Sequence, residues 1–450
     1  MKSIKSFKKS YTKILIIIII LSLVLRLFLL HPTFSDENFY FNVGKNILEG
    51  KIPYKDFFFA HPPFQIYVLA FMFKVFGISF LVGKFLSLVA STLSVFLIYL
   101  ILKELYDEKS GFFAALIFLI TPTFLSFSTI GHGMWETLLF VLLSFYLATK
   151  NKLNFAVVTF VIAILFRYLA VLYLPFLIIL LYFRKQKFKT FLFWFFPTFI
   201  ISIFLLFLIF GSNYVDQTVS YQLFSKVYMS AFGVDMQYWN IGYFFLFLSL
   251  VSAVVAYANK DKVLLLLASM PLIADMIILF SLKLFFYHYF LISLAFCIIS
   301  IGRVLTISKE RIIKVFVSVI LLLSILNNIP TIDFYLNPKY AERYYSMASF
   351  IENSISANDS IFGEPVATGY VSFVTNRRIS SNYLDSYLRH LIFEGEEKVI
   401  ENLKKDKPKI FIEIENYYLS NPSFSKFILE NYVLEREFEG TPNYSVYRIK

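Results

Sequence analysis

Two adjacent carboxylates, Asp36 and Glu37, follow the first hydrophobic segment of the chain. Charged groups so close to a membrane-spanning segment are energetically costly, and they are usually retained for a function. A carboxylate can take the proton of an attacking hydroxyl group, and carboxylate oxygens can bind a divalent cation such as Mg²⁺ or Mn²⁺. Asp36 is therefore the candidate base, and the pair is a candidate metal site. In the alternative interpretation, Asp36 is only a favourable charge at the N terminus of a helix.

Further polar residues lie near the ends of later hydrophobic segments. They are Tyr40, Asp56, His61, His132, Glu136, Arg167, Asp275, Lys283, His288 and Tyr289. Carboxylates and cations that meet on one membrane face suit a reaction that separates charge on a lipid-borne anion. Each also has a structural interpretation, because a carboxylate can cap a helix or pair with a cation, and a long cationic side chain can extend to lipid headgroups.

The composition is that of a polytopic membrane protein. Hydrophobic residues make up 58% of the 450 residues and charged residues only 16%, and a soluble protein of this size could not cover so much apolar surface. The net charge of +12 comes from the first 330 residues, since residues 331–450 carry 14 basic and 17 acidic residues. This excess is typical of the positive-inside rule, so we expect a lipid bilayer and no nucleic acid as a partner. Cys297 is the only cysteine, which excludes an intrachain disulfide.

Hydrophobic segments predict a polytopic α-helical protein with about 11 transmembrane helices. The predicted spans are residues 14–30, 83–102, 111–129, 134–149, 153–167, 168–183, 190–211, 241–258, 263–282, 284–302 and 312–329. From Lys103 onward, successive basic clusters are separated by two spans, so they share the cytoplasmic side. Residues 64–77 are too short to cross and should either lie in the outer membrane interface or re-enter. We expect a multi-pass protein of the plasma (inner) membrane with a cytoplasmic N terminus.

This topology divides the chain into a transmembrane domain, residues 1–330, and a small extracytoplasmic α/β domain, residues 331–450. Residues 31–82 then form one long outer loop, in which Ser35 should cap a helix that Gly50 ends. The predicted helices of the C-terminal domain are 340–356, 383–393, 396–405 and 422–431. Its predicted strands are Ser360–Gly363, Ile410–Ile414, Val433–Phe438 and Ser445–Ile449.

The order of these motifs resembles that of the GT-C membrane glycosyltransferases. The motifs are Asp36-Glu37 after the first span, Tyr54-Lys55-Asp56, His61-Pro62-Pro63, Phe76-Gly77 before a long span, the loop with Glu136, the turn at Arg167, and Phe286-Tyr287-His288-Tyr289. The resemblance covers about residues 10–300. It is closest to the branch that contains protein O-mannosyltransferases and lipid A aminoarabinose transferases.

The resemblance implies an enzyme that transfers a sugar, with inversion, from a polyprenyl-phosphate carrier to an extracytoplasmic lipid, glycan or protein. The catalytic residues it implies are Asp36, Glu37 and Glu136. The contacts expected for the carrier phosphate are Arg167, Lys283, His288 and His61, although His61 stands where many relatives have a lysine. The candidates for acceptor contacts or a supporting role are Tyr40, Asp56, His132, Asp275 and Tyr289. Members of the family differ in their need for a divalent cation, for which Asp36 and Glu37 would be the ligands.

A transporter or flippase of lipid-linked sugars is the alternative from another functional class. Such a protein would also need charged groups within the membrane. It should, however, have broken helices and polar residues near the middle of the membrane, with access from both faces. The polar residues of this chain cluster on the predicted outer side, which favours the enzyme.

The topology predicts that positions 79 and 356 are both extracytoplasmic. After replacement of Cys297, Ser79→Cys and Ser356→Cys should each react with a membrane-impermeant thiol reagent in intact cells. Lys150→Cys is the matched control, because Lys150 belongs to a predicted cytoplasmic cluster and should react only after lysis. Protection of position 356 in intact cells, with labelling after lysis, would contradict the topology.

Overall fold

The computed structural model of the protein describes residues 11–28, 30–33, 35–225, 236–281, 287–440 and 442–450. A mainly helical part extends to Leu336, and a domain with a five-stranded sheet follows it. The helices of the first part are α1 (Tyr11–Leu27), α2 (Glu37–Leu48), α3 (Phe64–Phe76), α4 (Phe80–Leu105), α5 (Glu108–Leu119), α6 (Pro122–Phe127), α7 (Met134–Thr149), α8 (Leu153–Phe166), α9 (Leu174–Phe183), α10 (Phe188–Phe210), α11 (Ser212–Val215), α12 (Met236–Ala258), α13 (Lys262–Ser281), α14 (Leu291–Ile307), α15 (Arg311–Asn327) and α16 (Ile329–Leu336). Shorter helical segments are the 3-10 turns Tyr168–Tyr173 and Tyr287–Phe290 and the π-helical stretch Asp216–Ser225.

Few of these helices are long enough to cross a membrane alone. Within the described residues, α4, α10 and the segment His288–Ile307 are long and apolar enough to do so, and the bent pair of α15 and α16 would be a fourth span. The prediction of about 11 spans is therefore not confirmed. Breaks within the predicted helices account for part of the difference between the predicted and the observed number of spans. For example, Pro122 begins a new helix, capped by Thr121 Oγ1, so the predicted span 111–129 is divided into α5 and α6.

Helices α4, α5, α7, α8 and α14 pack around the main hydrophobic core of the first part. Helix α14 is buried along most of its length. Where it crosses α5, a Cβ atom at Gly302 would lie 2.5 Å from Ala114 Cβ, so the two helices are in close contact. This packing fixes α14, and His288 and Tyr289 belong to the 3-10 turn that leads directly into it.

The predicted helix in the first long loop is present as α2. It ends before Gly50, whose φ of +90° is a conformation that glycine adopts without steric cost. Its start differs from the prediction. The chain already has helical dihedral angles at Asp36, so Asp36 rather than Ser35 occupies the N-cap position, and its side chain makes no capping hydrogen bond.

The carboxylate of Glu37 is fully buried and joins three segments. Its Oε1 atom lies 2.7 Å from Nζ of Lys84, a residue of α4 that is also fully buried. The same oxygen accepts a hydrogen bond from Thr33 Oγ1 (2.6 Å), and Oε2 accepts one from the backbone N–H of Gly131 (3.1 Å). The ion pair therefore holds the start of α2 against α4 and against the loop that leads into α7.

The described residues of the C-terminal domain form five α-helices and five strands. They are α17 (Glu342–Ser354), β1 (Ser360–Gly363), α18 (Pro365–Thr375), β2 (Arg378–Ile379), α19 (Leu388–Glu394), α20 (Glu396–Asp406), β3 (Ile410–Ile414), α21 (Pro422–Asn431), β4 (Tyr432–Phe438) and β5 (Tyr444–Ile449). The sheet order is β2-β1-β3-β5-β4. Strand β1 pairs parallel with β2 and β3, and β5 pairs antiparallel with β3 and β4. Each predicted helix and strand of this domain has a counterpart in the structure.

Helix α18 and the short strand β2 are missing from the prediction. The α18 segment is rich in β-branched and aromatic residues, which have a low helix propensity. Two local features nevertheless start the helix: Pro365 occupies its first turn, and the carboxylate of Glu364 accepts hydrogen bonds from the N–H groups of Val366 (3.1 Å) and Ala367 (2.7 Å). Because α18 is then almost completely buried, tertiary packing overrides the local preference.

Helix α18 attaches the C-terminal domain to α2. A Cβ atom at Gly369 would lie 3.1 Å from backbone atoms of Asn38, so the two helices are nearly in backbone contact. Ser372 Oγ donates a hydrogen bond to Asn42 Oδ1 (3.2 Å). Phe373 belongs to the same hydrophobic cluster as the aromatic residues of α2. The domain is thus packed directly on the helix that begins with the carboxylate pair.

We expect Glu37→Met and Lys84→Met each to lower the free energy of unfolding by about 3–5 kcal/mol, because each leaves a buried charge without its partner. The double variant Glu37→Met/Lys84→Met should be markedly more stable than either single variant, since no charge remains buried. The free energy of unfolding is measured by unfolding the detergent-solubilised protein with increasing SDS and following the loss of helix by circular dichroism.

The matched control is Glu104→Met, which removes the partner of Lys150 in an exposed ion pair. Exposed pairs contribute about 0–1 kcal/mol, so this variant should remain close to the wild type. Equal losses for Glu104→Met and Glu37→Met would contradict the anchoring role of the buried pair.

Candidate active site

A cavity of about 270 Å³ lies between the helical part and the C-terminal domain. Its volume is near the lower end of those of small-molecule sites. Seven residues singled out in the sequence line it: Asp36, Tyr40, His61, His132, Arg167, His288 and Tyr289. Tyr221 and Gln222 of the π-helical stretch and Arg389 and His390 of the C-terminal domain also contribute to its wall. Segments far apart in the chain therefore meet at one cavity.

Asp36 lines this cavity from the start of α2. Its side chain makes no capping hydrogen bond, which argues against the interpretation of Asp36 as only a helix-end charge. Its Oδ1 atom instead accepts a hydrogen bond from Tyr387 Oη of the C-terminal domain (2.6 Å). Burial, reinforced by the charge of Asp36, raises the pKa of Tyr387 well above its usual value. The tyrosine hydroxyl therefore keeps its proton and acts as the donor.

Arg167 lies at an interruption between two helices. It follows the last residue of α8 and has extended dihedral angles, φ −151° and ψ 126°. Its guanidinium group lies over the ring of Tyr40, 5.0 Å from the ring centroid. Nη2 donates hydrogen bonds to Gln65 Oε1 (2.9 Å) and to the backbone carbonyl of His132.

The guanidinium group of Arg167 also has an unused donor. The residue is only 7% exposed, and Nη1 has no hydrogen-bond partner among the residues that the structure describes. A buried cation without full hydrogen bonding is unfavourable unless an anion can bind it. This side chain is thus suited to hold a phosphate or carboxylate group in the cavity.

His132 and His288 are neighbours on the cavity wall, and their ring centroids are 4.8 Å apart. Burial, together with the positive charges of Arg167 and Lys84, lowers the pKa of His132 to about 3. His132 is therefore neutral at physiological pH. It can offer hydrogen bonds to a ligand but no positive charge.

His61 is held at the entrance to α3. Its backbone carbonyl accepts a hydrogen bond from Tyr54 Oη (2.6 Å), and its ring centroid is 6.2 Å from that of Tyr40. Pro62 and Pro63 follow it, and Pro63 occupies the N-cap position of α3. This rigid dipeptide fixes the backbone of His61 at the cavity.

Four residues of the C-terminal domain form a part of the site that the sequence did not reveal. Tyr387 reaches Asp36, and the guanidinium group of Arg389 lies over the ring of Tyr387, 4.5 Å from its centroid. Arg389 Nε donates a hydrogen bond to His390 Nε2 (3.2 Å), and His390 Nδ1 lies 2.5 Å from Asp385 Oδ1. In the sequence these residues look like ordinary polar residues of an α/β domain, so no local signal identifies them.

Gln65 and Lys84 also support the site and were not identified from the sequence. For Lys84 a signal existed, because a lysine inside an apolar span is an intramembrane charge and thus a candidate functional residue by default. Gln65, which positions Arg167, lies in a segment predicted to be interfacial and gave no comparable signal.

Two predicted catalytic carboxylates do not line the cavity. Glu37 is buried against Lys84. Glu136 is 2% exposed and accepts a hydrogen bond from Ser87 Oγ (2.6 Å). Both therefore hold helices together, which is a supporting role for the site rather than a place on its wall.

Two other candidates, Asp56 and Asp275, do not line this cavity. The carboxylate of Asp56 accepts a hydrogen bond from the backbone N–H of Ile52 (2.7 Å) and lines a separate cleft. Asp275 is buried in α13 near Ser293. Lys283 lies outside the described residues.

The structure gives no support to Asp36 and Glu37 as a shared metal site. Asp36 lines the cavity, whereas the carboxylate of Glu37 already has a buried ammonium group as its counter-ion. Within the described part of the chain, no group of three or more histidine, cysteine, aspartate or glutamate residues is placed to hold a metal ion. In the described structure, Asp36 and Glu37 are therefore not placed to share a divalent cation.

Comparison with known proteins shows which family the chain resembles. Residues 60–210 match the family model of dolichyl-phosphate-mannose-protein mannosyltransferases. No curated protein sequence matches the chain significantly.

Solved structures resemble the chain over nearly its whole length. ArnT from Cupriavidus metallidurans bound to undecaprenyl phosphate matches with a TM-score of 0.62 at 10% identity, over 97% of each chain. The oligosaccharyltransferase of Archaeoglobus fulgidus in the apo form matches with a TM-score of 0.57 at 12% identity, over 99% of this chain and 75% of the other. AglB from Archaeoglobus fulgidus in complex with an inhibitory peptide and a dolichol-phosphate matches with a TM-score of 0.52 at 12% identity, over 98% of this chain and 74% of the other.

Similarity at such low identity concerns the fold. Together with the family match it confirms that this chain resembles the GT-C membrane glycosyltransferases, in fold along nearly its whole length and in sequence over residues 60–210.

Proposed function

We propose that the protein is an inverting membrane glycosyltransferase that moves a sugar from a polyprenyl-phosphate carrier to an extracytoplasmic acceptor. The observation that carries the proposal is that Asp36 and Arg167 line the same cavity. A base and a buried cation with an unused donor are the two groups that such a transfer needs. The family match and the shared fold support the choice of reaction class.

Asp36 is the proposed base. As the acceptor hydroxyl attacks the anomeric carbon, its proton passes to the carboxylate of Asp36. The bond between the anomeric carbon and the phosphate oxygen breaks, and its electron pair stays on the phosphate. The new bond forms on the face opposite the leaving group, which gives inversion. The products are the glycosylated acceptor and the free polyprenyl phosphate.

Arg167 is the proposed main contact of the carrier phosphate. Gln65 and the carbonyl of His132 fix one end of its guanidinium group, which leaves Nη1 for a phosphate oxygen. A cation held in place before the reaction stabilises the charge that develops on the leaving phosphate, an effect of several kcal/mol. His288 and His61 on the same wall, and Lys283, are proposed as further phosphate contacts.

The type of carrier is inferred from two of the similar structures. ArnT was solved with undecaprenyl phosphate and AglB with a dolichol-phosphate. Both ligands are polyprenyl phosphates with a long apolar chain and an anionic head. Such a donor suits a chain whose apolar helices, for example α10, carry many exposed hydrophobic side chains.

We expect Asp36→Asn to lower the rate of sugar transfer about 100-fold or more, because the substitution keeps the shape of the side chain and removes the base. Membranes that contain the protein are incubated with a panel of radiolabelled polyprenyl-phosphate sugars, and label is counted in lipid, glycan and protein fractions. Asp359→Asn is the matched control. It changes a carboxylate of the C-terminal domain that caps a turn at Ser356 and does not line the cavity.

Near-normal transfer by correctly inserted Asp36→Asn protein would exclude Asp36 as the base. Loss of transfer in both variants would point to a general effect of charge or expression and would not support the assignment.

We expect Arg167→Gln to weaken binding of undecaprenyl phosphate by about 10- to 150-fold, which corresponds to the roughly 1.5–3 kcal/mol of a hydrogen bond to a charged group. Native mass spectrometry of the purified protein with undecaprenyl phosphate measures the affinity. Undecaprenol, which lacks the phosphate, should bind equally well to the wild type and the variant.

Arg184→Gln is the control for this experiment, because Arg184 is an exposed arginine in a predicted cytoplasmic cluster. An unchanged affinity of Arg167→Gln for undecaprenyl phosphate would return Arg167 to a purely structural role.

A further inference from the structure

The catalytic carboxylate of the proposed reaction is held by the C-terminal domain. The hydrogen bond from Tyr387 Oη to Asp36 Oδ1 joins residues 351 positions apart in the chain. Among the described residues, no other side chain donates a hydrogen bond to the carboxylate of Asp36. The orientation of the carboxylate therefore depends on a residue outside the helical part.

Tyr387 is itself fixed by its neighbours. Its ring lies under the guanidinium group of Arg389, at 4.5 Å, a contact that stabilises both groups. Arg389 donates through Nε to His390 Nε2 (3.2 Å). His390 is 4% exposed and Asp385 is 5% exposed, and Nδ1 of the first lies 2.5 Å from Oδ1 of the second. A chain of contacts thus runs from Asp385 to Asp36.

The docking of the domain supports the same contact. Helix α18 packs on α2 so closely that a Cβ atom at Gly369 would be 3.1 Å from the backbone of Asn38. Asn38 lies two residues after Asp36 in the chain, so the domain holds both the helix and the side chain at its start. Such double attachment limits the movement of the carboxylate relative to Tyr387.

We infer that Tyr387 is a positioning residue for catalysis: it orients Asp36 so that Oδ2 faces the acceptor, and the C-terminal domain thereby completes the active site. This inference rests on the proposed function. In this arrangement, Oδ1 of Asp36 accepts the hydrogen bond from the tyrosine hydroxyl. Oδ2 remains to take the proton of the acceptor. The helical part without this domain would hold the base but leave it free to rotate.

The test is Tyr387→Phe, which removes one hydroxyl group and keeps the ring under Arg389. With the donor sugar that the wild type uses in the panel above, we expect kcat to fall about 10- to 100-fold, the effect of one hydrogen bond to a charged group. The KM for the donor should stay within about twofold, because Tyr387 does not contact the carrier phosphate in the proposed arrangement. Thermal unfolding of the purified variant should occur within a few degrees of the wild type.

A double-mutant cycle separates positioning from a structural role. In the Asp36→Asn background, Tyr387→Phe should cause no further loss of transfer, because the carboxylate on which it acts is gone. Tyr383→Phe is the matched control. It removes a hydroxyl group of the same domain that accepts a hydrogen bond from Asn402 (2.8 Å) and does not line the cavity, so kcat should be unchanged.

The outcomes distinguish this inference from the proposed function. Full activity of Tyr387→Phe beside an inactive Asp36→Asn would overturn the positioning role and leave the glycosyltransferase standing. Additive losses in the double variant, or a fall in kcat that is matched by Tyr383→Phe, would also overturn it. A wild-type protein that neither binds undecaprenyl phosphate nor transfers any sugar of the panel would overturn the proposed function and the inference with it.

Discussion

The buried ion pair of Glu37 and Lys84 is the interaction on which the geometry of the site depends. It joins the start of α2, the start of α4 and the loop at Gly131. Asp36 precedes Glu37, and His132 follows Gly131, so two cavity residues are fixed by their chain neighbours. If the segments moved apart, Glu37 and Lys84 would each be left as a buried charge without a partner. This cost keeps the three segments together. The adjacent carboxylates thus have different roles. Glu37 stabilises the packing of the helices, and Asp36 lines the cavity.

Arg167 is the cavity cation whose surroundings are best defined. Arg167 is held on one side by Gln65 and the carbonyl of His132, and its Nη1 has no partner among the described residues. Burial, together with the charges of Arg167 and Lys84, lowers the pKa of His132 to about 3, so this imidazole stays neutral. A neutral histidine beside a fixed guanidinium group does not compete with it for an anion. The cavity lining therefore offers Arg167 as a fixed anion contact beside the neutral His132, and Arg389 brings a second guanidinium group from the C-terminal domain.

The C-terminal domain is part of the site as well as a neighbour of it. Its helix α18 contacts α2 at backbone distance through Gly369, and Tyr387 donates to Asp36. A domain that was attached only by its linker could not maintain this 2.6 Å hydrogen bond to the helical part. The two parts of the chain are thus coupled at the carboxylate proposed as the base, and the proposed chemistry needs both.

The sequence alone determined the membrane class, the candidate cavity residues at helix ends, and most elements of the C-terminal domain, because apolar run length, capping residues and turn residues are local signals. It placed seven candidates that the structure brings to one cavity. It did not determine the span count, since breaks such as that at Pro122 shorten the helices. Only the tertiary structure decided that Glu37 faces Lys84 rather than a ligand, that the β-rich α18 segment is a helix, and that Tyr387 meets Asp36. These outcomes depend on which groups are buried together. A contact between residues 351 positions apart cannot be predicted from the spacing of neighbouring residues in the sequence.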